Sequence, residues 1–204
     1  MNAEELSKEA SKALIDLGIE GSYGSVSCST AGDYPSLGVS SWEGINGGRG
    51  DILLSYIDGG NYYSNRTYSD LSDSGDIPKL KELLDSKQGQ EAQQIILAQD
   101  MVGNYFDDLQ QVYNLDDSRC FIYALCWCPT SSIIVRRFLQ KRQDQYNIRD
   151  LSVIRDLFRD EYYIAADVGE QYKQGYANRA INTFDYVSSI DLTTEYGIPA
   201  YCEV

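Results

Sequence analysis

Glu20 is the residue of this chain whose type and setting carry the most chemistry. It stands just after a helix-patterned segment and opens a glycine- and serine-rich stretch, EGSYGSVSCSTAGDYPSLGVSSW, over residues 20–42. Cleavage of a glycosidic bond needs one carboxylic acid on a rigid perch, in surroundings apolar enough to keep it protonated near neutral pH. A second group must stabilise the positive charge that develops on the sugar or orient the attacking water. Asp33 is the carboxylate candidate for that role, and Ser25 or Ser36 could hold the water instead, because a hydroxyl both donates and accepts. Sugar rings present apolar faces to aromatic side chains, so Tyr23 and Trp42, with Ser25 and Ser36, are the candidate substrate contacts. Each tyrosine has an equal claim to a partly buried structural place, and Trp42 to a core brace.

Composition excludes much of the alternative chemistry. The chain has no histidine, so it builds neither a Ser-His or Cys-His pair nor a zinc site with His ligands. Its 31 Asp and Glu against 17 Lys and Arg give a formal net charge of −14, which argues against binding to nucleic-acid phosphates or an anionic membrane. The five cysteines, Cys28, Cys120, Cys126, Cys128 and Cys202, are odd in number and form no CxxC framework. They read mostly as reduced, buried residues of a protein made in a cytoplasm. Cys126-x-Cys128 could bind a metal, but its apolar, Trp-flanked setting favours core packing. No metal site and no cofactor is expected.

Positioning falls to the elements around Glu20. Ala3, Leu6, Ala10, Ala13, Leu14 and Leu17 recur at three- and four-residue spacing, which predicts an amphipathic helix ending at Gly18. Most of the 17 glycines then fall before residue 61 and predict a non-helical lobe. Within it, 25–29 and 52–57 form strands or a brief helix, and 44–51 turns repeatedly. The Arg49-Gly50-Asp51 tripeptide and the Asn65-Arg66-Thr67 sequon are taken as chance. Residues 62–76 read as a polar loop ending near Pro78, where a helix can start.

Helical spacing dominates from there. Ala92, Ile95, Ile96, Val102, Tyr105, Phe106, Leu109, Val112 and Tyr113 fall on one face of a long helix. Residues 120–128, CFIYALCWC, are apolar on every side and predict a short helix surrounded by protein, with Ser118 near its start and Pro129 closing it. Amphipathic helices over 133–139, 151–158 and 172–190 are expected to pack around it. The fold class expected is α+β, mostly α, in a single domain over 1–204, with neither a secretory signal nor a membrane span.

The pattern Glu20-Gly21-x-Tyr23-Gly24-Ser25-Val26, then a turn, then Ser36-x-Gly38-x-x-x-Trp42, resembles the N-terminal active-site segment of phage and bacterial muramidases of the lysozyme-like superfamily, related to chitosanases. Beyond this N-terminal part, only the helical architecture and the segment RAINTFDYVSSIDL, 179–192, are similar. Those relatives carry an Asn-Asp-x-Gly turn before the Ser-x-Gly. Here the stretch is Ser29-Thr30-Ala31-Gly32, and Asp33 follows the glycine.

The resemblance implies a lysozyme-like fold, with a buried central helix inside a helical lobe and a small glycine-rich N-terminal lobe. It also implies a peptidoglycan glycan-strand hydrolase, an N-acetylmuramidase cleaving β-1,4 bonds with Glu20 as general acid, as an endolysin, a tail-associated lysozyme or a wall-remodelling enzyme. The alternatives are a lytic transglycosylase and a non-catalytic phage structural or wall-binding module of the same fold. The expected partners are peptidoglycan glycan strands, with neither nucleic acid nor membrane. Because the acidic balance works against adhesion to an anionic wall, a delivery or wall-targeting module or a phage tail protein is expected to bring the chain there. Such a protein is made in a cytoplasm without a signal peptide and acts on the wall after lysis or virion delivery.

Overall fold

The structure is a computed structural model, and it describes residues 1–29 and 31–192. Among the described residues it is mostly helical with one three-stranded sheet, the α+β, mostly α class expected. None of these helices is long and apolar enough to cross a membrane. Two compact units divide the described residues: a glycine-rich unit, Leu14–Asp100, and a helical unit made of Met1–Ala13 with residues 101–192.

The glycine-rich unit begins with the last turn of α1, Ala3–Leu17. Gly18 stops that helix in the left-handed region at φ +58°, where its N–H reaches Ile15 O at 3.1 Å, the conformation a glycine C′ residue adopts at least cost. Three short strands follow, β1 (Val26–Cys28), β2 (Pro35–Leu37) and β3 (Trp42–Glu43), in antiparallel order β1-β2-β3. Their register aligns Val26, Leu37 and Trp42 in one row and Ser27, Ser36 and Glu43 in the next. Directly opposed residues share a face and strand neighbours point to opposite faces. The first row is therefore the packed side, with all three residues buried, and the second is the polar side.

Two loop expectations are corrected in this unit. Residues 44–51 do not turn throughout, because α2 (Arg49–Ser55) starts inside them. Gly50 makes this possible: a Cβ there would lie 2.7 Å from Glu43 O, so only glycine lets the helix start rest on β3. The stretch 62–76 is not all loop either, since it holds α3 (Tyr68–Asp73), capped reciprocally by Thr67 and Asp70. Then come α4 (Ile77–Asp85), with Pro78 in its first turn, and α5 (Lys87–Asp100). In α5, Gly89, Ala92, Gln93, Ile96, Leu97 and Asp100 form a buried stripe at helical spacing.

In the helical unit the chain continues through a π-helical turn, Met101–Tyr105, into α6 (Phe106–Leu109). This turn corrects the single long apolar face. A π turn holds one more residue than an α turn and rotates the helix beyond it, so Val102 is 43% exposed while Phe106 and Leu109 are buried. Ile95, one position off the stripe, is exposed as well.

The core of this unit is α7 (Ser118–Leu125) and the residues after it, and all of Cys120, Phe121, Ile122, Tyr123, Ala124, Leu125, Cys126, Trp127 and Cys128 are buried. Side chains such as Phe121 and Leu125 each contribute about 2 kcal/mol by leaving water, as an upper estimate. Pro129 does not close this helix as expected. It sits in the first turn of α8 (Cys128–Gln140), where its missing N–H costs nothing. Helices α9 (Leu151–Ala165) and α10 (Lys173–Ser189) complete the shell. Trp127 packs against Phe158 and Tyr162, with ring centroids 4.8 and 5.0 Å away, and Tyr123 OH donates to Ala180 O at 3.1 Å. Thr30 and Cys202 lie outside the described residues.

Candidate active site

Every residue singled out for glycan chemistry belongs to the glycine-rich unit. Glu20 is half-buried, two residues past the glycine that ends α1. Its backbone is held from two sides. Ser41 Oγ donates to Glu20 O at 3.0 Å, and Gly21 lies so close to the next turn that a Cβ would come within 2.6 Å of Gly38 O. That turn is fixed in its own right: Gly38 N–H reaches Ser25 O at 2.9 Å, and a Cβ on Gly38 would collide with Gln93 Oε1.

Gln93 is the anchor beneath this arrangement. Fully buried on α5, it accepts from Val39 N–H at 3.0 Å. Its amide nitrogen faces Leu84 O at 2.9 Å, with Tyr23 O and Gly89 O both at 3.2 Å. One side chain thus ties the segment after Glu20 to the turn before β3 and to two helices. A buried amide with its capacity used in this way rigidifies the segments it joins.

The other expected site residues take varied places. Tyr23 is half-buried and its hydroxyl accepts from Gln94 Nε2 at 2.8 Å. Ser25 Oγ accepts from Ser22 N–H at 2.8 Å, closing the turn that leads into β1. Ser36 stands in the polar row of the sheet, half-buried. Trp42 is only 5% exposed and its indole N–H donates to the buried Asp100 Oδ2 at 2.8 Å, while Arg49 pairs with the other oxygen of that carboxylate. This placement is that of a core brace, and it leaves little ring for a sugar to stack on. Asp33 is exposed at the tip of the β1–β2 connection. There Asp33 Oδ1 accepts from Ser69 N–H at 3.1 Å and its carbonyl from Tyr68 N–H at 3.3 Å. One oxygen of its carboxylate is thus engaged at the first turn of α3, where the helix dipole favours a negative charge.

Sequence reasoning passed over Glu43. It closes the polar row after Ser27 and Ser36, it is half-buried, and Ser29 Oγ donates to its Oε1 at 2.8 Å. The close approach of Gly48 and Gly50 to Glu43 O clamps its backbone. The signal available in the sequence was strand alternation, because a buried Trp42 puts Glu43 on the opposite face. Ser41, the residue that holds Glu20, lies only two positions before it.

Among the described residues, no three His, Cys, Asp or Glu side chains are grouped to hold a metal ion. The thiols of Cys120 and Cys126 are pushed up to about 12 by burial, so at neutral pH they are neutral packing groups. Cys126 Sγ donates to Ala10 O at 3.8 Å. Compared with protein-family models, curated proteins and solved structures, the chain shows no significant match.

Proposed function

We propose that this chain is a peptidoglycan glycan-strand hydrolase of lysozyme-like plan, in which Glu20 protonates the leaving glycosidic oxygen and Glu43 is the partner carboxylate. One observation carries the reading: a half-buried glutamate, held by its backbone to the Gly38–Ser41 turn, stands beside a sheet whose polar face bears a second, hydrogen-bonded glutamate. The absence of histidine and the resemblance of residues 20–42 to muramidases support it.

Glu43 replaces Asp33 in this reading for a reason of position. Ser41, whose hydroxyl holds the Glu20 carbonyl, is two positions before Glu43. Asp33 is eight positions before Ser41, beyond β2, and one of its carboxylate oxygens is engaged by Ser69 N–H. Inverting glycosidases hold their carboxyls roughly 6.5 to 9.5 Å apart, with a water between. Glu43 then takes a proton from that water as its oxygen bonds to the anomeric carbon. The carbon–oxygen bond to the leaving sugar breaks, and Glu20 supplies the proton for that oxygen. Ser36, beside Glu43 in the same row, is placed to orient the water or a sugar hydroxyl.

Release of dye from labelled cell walls by the purified chain tests the reading, with walls from several bacteria. Soluble reducing sugar ends are the expected product. Anhydro ends would replace the hydrolase by a transglycosylase. No release, together with retained wall binding, would leave a non-catalytic wall-binding module.

A further inference from the structure

In the helical unit, α8 and α9 leave between them a half-open pocket of about 520 Å³, a volume typical of small-ligand sites. One wall is cationic. Arg137 and Lys141 lie four residues apart along α8 and the turn after it, and both are exposed. The apolar lining comes from Ile164 and Ala165 at the end of α9 and from Ile134, one turn before Arg137 on α8, and Ile164 is 65% exposed.

Arg142 and Glu161 close the pocket without serving as its recognition groups. The Arg142 guanidinium gives Nε and Nη2 to Glu161 Oε2 and Nη1 to Phe138 O, and it lies over the Phe138 ring with its carbon 3.8 Å from the centroid. Its donors are therefore turned to the protein, and Glu161 is neutralised. Arg137 and Lys141 have no carboxylate partner of this kind among the described residues, although acidic residues outnumber basic ones in this chain. Like charges four residues apart on a helix repel, and the helix C-terminus offsets part of that repulsion.

We infer that this pocket binds a compact oxyanion, a phosphate or carboxylate, carried on a short apolar chain. Arg137 and Lys141 would hold the oxyanion, and Ile134, Ile164 and Ala165 would cover the chain. Two cations lining one pocket with apolar side chains fit such an amphiphile better than either a free anion or a neutral lipid. The inference is independent of the glycan reading, since all of its residues belong to the helical unit.

The test is titration of the whole chain by nuclear magnetic resonance with octyl phosphate, kept below its micellar concentration, beside inorganic phosphate and octyl glucoside. Octyl phosphate should saturate shifts of Arg137, Lys141 and Ile164, and bind at least tenfold more tightly than either comparison probe. The double change Arg137→Gln with Lys141→Gln is at exposed positions, so the fold should survive, and circular dichroism checks it. That variant should lose octyl phosphate binding by at least tenfold. Equal binding of inorganic phosphate would show that the apolar wall contributes nothing, and equal binding of octyl glucoside that the cations contribute nothing. Either result, unchanged binding in the variant, or no saturation by octyl phosphate overturns the inference.

Discussion

At the scale of single residues, the candidate site separates carboxylates that look alike in the sequence. Asp33 and Glu43 are both acidic residues near glycines, but Asp33 holds the start of α3 whereas Glu43 joins the polar row of the sheet. Wall hydrolysis by Glu20→Gln and by Glu43→Gln should fall at least about a hundredfold each, the scale of losing a positioned acid or base. Asp33→Asn should change turnover little. Turnover measured on the three variants side by side decides the assignment, and a dead Asp33→Asn with an active Glu43→Gln would reverse it. Gln93 carries a prediction about stability instead. Gln93→Leu strands Val39 N–H and the carbonyls that share its amide, so urea unfolding should show a loss of about 3 kcal/mol. A loss under about 1 kcal/mol would mean that Gln93 does not anchor the turn.

At the scale of elements, the connection through α3 into α4 depends on one buried carboxylate. Asp76 accepts from Arg66 at 2.8 Å, Lys79 at 3.0 Å, Ser74 at 2.9 Å and Tyr62 OH at 3.1 Å. Arg66 first, then Lys79 and Ser74, hold its carboxyl well below the usual carboxylate range. A carboxylate that is more acidic in the folded chain contributes stability above its unfolded pKa of about 3.9, and that stability is lost as pH falls toward the folded value. The melting temperature should therefore hold from pH 7 to about 5 and decline below about 4. Asp76→Asn should lower the melting temperature at pH 7 and flatten the acid decline. A variant with the wild-type acid profile would show that other carboxylates govern it.

At the scale of the whole molecule, the charge of −14 sets how the proposed hydrolase would meet an anionic wall. Long-range repulsion from a cell wall slows encounter, and salt removes it. Between about 0.01 M and 0.15 M salt the screening length shortens from about 30 to 8 Å. Hydrolysis of intact walls by the isolated chain should rise several-fold over that range, opposite to the behaviour of a cationic lysozyme. Hydrolysis of short neutral chitooligosaccharides should stay flat. Falling wall activity with salt would mean that a local cationic surface dominates binding.

Some of this was legible in the sequence because it is local. Apolar spacing over 3–17 with glycine at 18 specifies α1 and its stop, and nine consecutive apolar residues at 120–128 specify a segment that only a surrounding core can hold. The lack of histidine excludes Ser-His and Cys-His pairs and His-ligated zinc within this chain whatever the fold. The tertiary structure decided the rest through pairings between distant residues, which no local period encodes. Strand register, with Leu37 opposite Trp42, put Trp42 inside and Glu43 on the polar face. Gln93 reached the turn at Val39 from 54 positions away, and Ser69 claimed Asp33 from 36. The π turn at Met101–Tyr105 set Phe106 and Leu109 inside although Val102, seven residues after the exposed Ile95, stays outside, because one added residue rotates everything beyond it.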